Sequence, residues 1–590
     1  MREKSSQPSL VIAPFLSGQY FCDEADTDRS VSSDEDAALY CSARGKNGAR
    51  RITAALDAIG PRVSPSGMYQ LGYTLILPLF RYYKKVEGRW EFDVDVLKAN
   101  LGTISDVDRP VVVYLSCNHF IDAGRALCRD LLEDPANLMW NRNGPVRPDA
   151  YFLSSIVAWT LEDQNAPVSM LREQAFAAAI RAILALPAAS RERIVAISVL
   201  GETHQMYDGF FSGPGFNSPL FESTDYAPVA VAGFRTWLAQ AYKDIRALNV
   251  ELGANFASFD VINPPSKDIN AQQLDTFFDH IDAYAAGNIP VYGWLHDALG
   301  RNPRIDVHLD GELQGTAEMG LSRTDVPDAI PAIRNPNVGF RLNLDYRNIA
   351  YGVHCLEVLA RVNGMPPLRL ARQQLAVVSR AQGHLPTIDC VDMGNPHITS
   401  DPALSGSLDG PKPLAPAFYN PLARLWLAYR NQVVRNYIER FALMAVTLGI
   451  PKDKLFSHQV TPSLIGSWNG DLLAADASKL PSKVYNQGTT LYGGAAFSAA
   501  FVAMKNRLGW DRYSVSEMHP MVKLTSDEYL AMFEMHRTNG AVFVAPYFIY
   551  IGPERLLSAE NEHDRFRIAP NNPRYASDAY WWAIQDVMKK

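Results

Sequence analysis

Short apolar runs, each closed by a turn signal and followed by a stretch of helical spacing, recur along most of this chain. The clearest is Ile194–Leu200, a charge-free stretch rich in Val, Ile and Leu that stops at Gly201-Glu202-Thr203-His204. A run of that kind suits a strand covered on both faces. Similar runs lie at residues 9–21, 73–83, 109–120, 455–461, 484–492, 512–518 and 541–551. Between them, residues 49–59, 90–101, 170–186, 234–249, 421–448 and 578–588 carry helical spacing or helix boundary signals. Strand and helix in alternation predict a parallel sheet, and eight such repeats predict an α/β fold, a (β/α)8 TIM barrel.

The pattern changes between residues 288 and 375. Helical periodicity disappears and short alternating runs take over, with Asp310-Gly311 between two of them as a hairpin turn. The expected organisation is a first barrel part at 1–287, an inserted all-β sandwich at 288–375, a Pro, Gly and Asp-rich linker with an active-site loop at 376–418, and a second barrel part at 419–590. The insert resembles an immunoglobulin-like module of bacterial surface-carbohydrate proteins. The resemblance rests on Gly293-Trp294, Asp297, Val307, Asp310-Gly311, Gly315, Arg323 with Asp325-Val326, Gly339-Phe340, and Gly352 with His354. It implies a fold and a setting, not a reaction.

Composition narrows the field of function. A net charge of -7 with no basic run argues against nucleic acid as a partner, because such binding relies on phosphate neutralisation. No apolar run reaches the roughly 20 residues of a membrane-spanning helix. The six cysteines show no CxxC spacing and suggest neither a zinc knuckle nor a dense disulfide framework. An aromatic content of 11% suits a protein that stacks on the flat faces of sugars. The N-terminus lacks a signal-peptide pattern, which leaves a cytoplasmic location and an exported one with a leader removed both open. Oligomeric state is open as well.

Two of the predicted strands end in a glutamate, Glu202 on the fourth and Glu517 on the seventh. In such barrels the reacting groups stand at the C-terminal ends of strands. Two carboxylates there can cleave a glycosidic bond by double displacement, one attacking the anomeric carbon and the other protonating the leaving oxygen. The chain resembles glycoside hydrolase clan A, and within it the β-galactosidases of glycoside hydrolase family 42. That likeness is carried by the two glutamates, by residues 234–256 after the fourth strand, and by Gly88-Arg-Trp-Glu-Phe-Asp93. It implies Glu202 as acid/base and Glu517 as nucleophile. It further implies Arg81 holding the nucleophile, Asn118 and His119 lining the sugar subsite, Tyr492 donating to Glu517, and Trp468 stacking on a sugar. His204, His458, His519 and Tyr547 stand at strand ends as further candidates for substrate contact. The chain departs from the clan in having Gly201 where Asn usually precedes the acid/base, and Tyr547-Phe548 where a Trp platform usually ends the eighth strand.

The expected activity is a retaining glycosidase on a β-linked oligo- or polysaccharide, with no cofactor and no metal; a transglycosylase would share its chemistry. A metal-dependent hydrolase is the rival drawn from His119, His204, His458 and His519, although no HxH or HExxH pair occurs. A non-catalytic sugar-binding barrel is the other.

Overall fold

The fold is taken from a computed structural model, which describes residues 9–590 except 118, 122–123, 152–153, 208, 210–220, 222, 382–400, 467 and 558–561. It is a mixed helix and strand chain. The strands that carry the site are β1 (Leu10–Ile12), β2 (Tyr73–Pro78), β3 (Val111–Ser116), β4 (Ile194–Leu200), β5 in two pieces (Leu455–Phe456 and Gln459–Val460), β6 (Gln487–Tyr492), β7 (Tyr513–His519) and β8 (Ala541–Pro546).

These strands pair in parallel as two sheets. One runs from the second piece of β5 through β6, β7 and β8 to β1, and the other from the first piece of β5 through β4 and β3 to β2. Parallel bridges at Phe15 with Thr74 and at Phe456 with Asn486 join neighbouring edges of the two sheets. Side chains alternate across the pleat. Val11, Phe15, Val112, Tyr114, Ala196, Phe456 and Phe543 meet in one inner cluster, while Leu10, Ile12, Val111, Val113 and Ile197 join the larger core. Both faces of the strands are therefore buried, which is why their sequences read as continuous apolar runs.

The helix at 421–448 forms as its spacing predicts: Asn420 caps it by accepting the Leu422 N–H at 3.0 Å, and Gly449 ends it at φ 118°. The helix expected over 234–249 is instead two, Pro228–Tyr242 and Ile245–Leu252. Lys243 takes a φ of 61°, and the Asp244 side chain caps the second helix through the Arg246 N–H. A local capping interaction interrupts an otherwise continuous apolar stripe.

Two largely antiparallel sheets form the β-rich segment. Strands Glu318–Leu321, Gly339–Asp345, Asn288–Asp297 and Leu404–Gly410 make one; Glu312–Thr316, Arg304–Leu309, Gly352–Arg361, Leu368–Val378 and Pro416–Phe418 make the other. Ile289, Val291, Phe340 and Leu344 from the first and Ile305, Val307, Leu356 and Val358 from the second share one core. Asp310 and Gly311, at φ 51° and 87°, form the turn that the Asp-Gly pair predicts. Residues 404–410 and 416–418, expected as return linker, supply strands to both sheets. Their Gly, Pro and Asp content masks short edge pairings made by backbone groups.

This segment touches loops that follow β5 and β6. Ser322 bridges Ile465, Ser322 Oγ accepts the Gly494 N–H at 3.0 Å, and Arg341 donates to the Trp468 carbonyl at 2.6 Å. Gly493, at φ 56°, leaves room for that approach: a Cβ there would lie 2.8 Å from the Thr324 methyl. Cys22 and Cys41 form a disulfide, a pairing that the cysteine spacing did not signal. Among the described residues no helix is long and apolar enough to cross a membrane.

Candidate active site

Glu202 stands just past the end of β4. Leu200 and Gly201 both take positive φ, 66° and 89°, so the chain turns sharply out of the strand before the carboxylate. The second value lies in the left-handed region that favours glycine, which gives a backbone reason for Gly201 at a place where the resembled clan carries Asn. Glu517 lies within β7, opposite Thr490 of β6 after a shift in register.

The two glutamates and His458 converge: one oxygen of each carboxylate and one nitrogen of the imidazole all lie within 4.8 Å of one another. The Tyr492 hydroxyl donates to Glu517 Oε1. His458 Nε2 is 3.2 Å from Glu517 Oε2 but poorly aligned for a hydrogen bond. The imidazole packs over the Tyr114 ring with centroids 4.8 Å apart, and its Nδ1 is 3.4 Å from Ser198 Oγ. His458 falls between the two pieces of β5, where the strand is interrupted.

Burial pushes the Glu202 carboxyl up to about 7, and the charge of Glu517 adds to the rise; His458 and Thr490 oppose it. A second carboxylate this close works against ionisation of Glu202, in the same direction as burial. Four tyrosine hydroxyls surround the pair. Tyr114, Tyr151, Tyr492 and Tyr547 are all held protonated far above neutrality, by burial first and by the two carboxylates in addition. The carboxylate pair thus stands among several hydroxyl groups.

The other residues singled out from sequence divide into groups. Tyr547 packs edge-on against Phe15 and Tyr492, beside the pair. His119 and His204 lie side by side, ring centroids 5.7 Å apart, on the wall of a cavity that Glu202 also lines. Burial lowers both, to about 3 and about 4, so both are neutral, and His204 Nδ1 donates to the Gln205 carbonyl at 2.9 Å. Trp468 packs with the cluster around Trp426 and Phe234.

Arg81 and His519 are drawn elsewhere. Residues Leu79–Tyr82 form a 3-10 turn, and the guanidinium of Arg81 sits 5.0 Å from the Tyr20 ring; besides burial, the charges that act most on it are those of Tyr20, Asp34 and Tyr82. His519 is buried against Phe566 and Tyr580, with Nε2 3.2 Å from Ser577 Oγ and Nδ1 accepting the Met521 N–H. Asn118 lies outside the described residues.

Tyr114, Tyr151 and Thr490 join the site without having been singled out. Tyr114 had a signal, a phenol hydroxyl in the apolar run at residues 111–115. Tyr151 comes from the short hairpin of Asp149–Tyr151 and Ser154–Ile156, which nothing in the hydrophobic pattern connects with the glutamates.

No family model matches this chain, and no curated protein does. Among solved structures it is similar to a β-galactosidase from the Antarctic haloarchaeon Halorubrum lacusprofundi, at 10% identity and a TM-score of 0.44, over 98% of this chain and 57% of that one. A β-galactosidase from Bacillus circulans sp. alkalophilus gives 10% and 0.44, over 99% and 56%. The catalytic domain of a β-amylase from Paenibacillus polymyxa gives 10% and 0.42, over 92% and 93%. The chain spans a little over half the length of the two β-galactosidases.

Proposed function

We propose that this protein is a retaining glycoside hydrolase that cleaves a β-linked sugar from an oligo- or polysaccharide. The eight parallel strands are read as one closed (β/α)8 barrel, with the inserted β-segment as an immunoglobulin-like sandwich. The observation that carries the reading is the separation of the two carboxylates. Oxygens of Glu202 and Glu517 lie within 4.8 Å, in the range of roughly 5 Å at which one carboxylate can bond directly to the anomeric carbon. Inverting enzymes hold the pair roughly 6.5–9.5 Å apart to admit a water.

The environments favour one division of roles. Glu517 accepts the Tyr492 hydroxyl, which stabilises its carboxylate form, and serves as nucleophile. Glu202, pushed up to about 7, retains its proton on the acid side of neutrality and serves as general acid. Glu517 attacks the anomeric carbon as the bond to the leaving oxygen breaks, and Glu202 gives that oxygen its proton. Glu202, now ionised, takes a proton from water, which attacks the same carbon and frees Glu517.

The test is proton NMR of the sugar first released from an aryl β-glycoside. Release of the β-anomer supports the reading, and release of the α-anomer overturns it. A metal-dependent hydrolase is a second reading, favoured by His458 standing within reach of both carboxylates. It requires stoichiometric metal in the purified protein and activity lost to a chelator and restored by that metal.

A further inference from the structure

Behind Glu202 lies a cavity of about 30 Å³ whose lining includes Cys117, His119, Trp159, Arg172, His204 and Tyr437. Arg172 projects from the helix Pro167–Leu184 and is 2% exposed. Its Nη1 donates to the Tyr437 hydroxyl, and its guanidinium carbon lies 5.7 Å and 5.6 Å from the rings of Phe80 and Tyr437. Among the described residues no carboxylate forms an ion pair with it, and its Nε–H has no partner. The indole N–H of Trp159, 3% exposed, has none either.

A buried cation without a counter-charge is costly, and so is each unpaired buried donor. The cavity walls do not supply the missing charge. Cys117 is pushed up to about 12 by burial and stays a thiol, Tyr437 is raised to about 12, and both histidines are neutral. Among the described lining residues Glu202 is the only carboxyl, and its own burial disfavours the ionised form.

We propose that this cavity is an anion site that takes a single halide ion, bound by Arg172 and the Trp159 indole N–H. A monatomic anion fits both the volume, which exceeds the roughly 10–15 Å³ needed for one water-sized occupant, and the presence of donors without matching acceptors. The site does not depend on the glycosidase reading, because it rests on groups of the wall and not on the reacting pair.

Crystals of the full chain soaked in sodium bromide, with data collected at the bromine edge, should show an anomalous peak within hydrogen-bonding distance of Arg172 and Trp159. In solution, chloride should raise Tm relative to gluconate at equal ionic strength. That difference should disappear in Arg172→Gln and shrink in Trp159→Phe, which removes one donor while keeping an aromatic ring. A cavity holding only water in the bromide crystal, together with equal Tm in the two salts, would overturn the proposal. If Arg172→Gln does not fold, the wild-type crystal and Trp159→Phe decide the matter.

Discussion

Just past β4 and within β7 stand two glutamates whose carboxylates come within 4.8 Å of each other, and their surroundings differ. At β7, Glu517 accepts the Tyr492 hydroxyl and has the His458 ring 3.2 Å away. At β4, Glu202 backs onto a cavity wall that holds neutral histidines, a thiol, apolar side chains and the Arg172 guanidinium, and burial raises it to about 7. A donor beside a carboxylate favours its ionised form, whereas burial favours its protonated form. One residue type thus meets two different environments a few ångströms apart, and the difference comes from the surroundings rather than from the side chains themselves.

The comparison can be broken first at β7. Glu517→Gln removes the proposed nucleophile and should lower kcat by about 10⁴-fold or more, read with an aryl β-glycoside. Next is β4: Glu202→Gln should cost about 10²–10⁴-fold with a poor leaving group. The loss in the bond-cleaving step should shrink sharply when the leaving group is an acidic phenol needing no proton. Equal losses for both leaving groups would deny Glu202 the acid role. Tyr492→Phe removes one donor to the charged form of Glu517, a change worth about 1.5–3 kcal/mol or roughly 10–100-fold in kcat/KM. A rate within twofold of wild type would mean that the hydroxyl does not support the nucleophile.

The smallest effect is on stability. Glu202, Asp282 and Glu162 are raised, chiefly by burial, to about 7, about 7 and about 8. Each contributes stability that is present at low pH and lost as pH rises through its folded value. The buried histidines His119, His204, His280, His519 and His536 are lowered by burial to about 3 or 4, so their opposite contribution is lost only below roughly pH 6.5. Between pH 6.5 and 8 the carboxyls act alone, and Tm should fall by about 2 °C or more by calorimetry. A Tm that is flat or rises across that window would contradict the burial assigned to these groups.

The two glutamates were legible in the sequence because a buried strand is a local feature: an apolar run followed by a carboxylate marks the strand and its end together. The surroundings of Arg81 were less legible. The run continues in composition past Pro78, but the backbone tightens into a 3-10 turn at Leu79–Tyr82 and directs the guanidinium toward Tyr20. His519 lies two residues beyond Glu517 on one strand, yet it packs against the terminal helix, since Met521 and Ser577 fix its ring. Tyr151 and Thr490 join the site only through chain crossings that no local pattern encodes. The strands at 404–418 were hidden for a similar reason, because edge pairing by backbone groups leaves little trace in side-chain hydrophobicity.

The most direct measurement is intact-protein mass after incubation with 2-deoxy-2-fluoro β-glycosyl fluorides, followed by peptide mapping. Division of labour between the two walls requires a mass increase of one fluorosugar, located on Glu517 and absent from Glu517→Gln. An adduct on Glu202, or turnover of aryl β-glycosides with inversion and no adduct from any sugar in the panel, would contradict it.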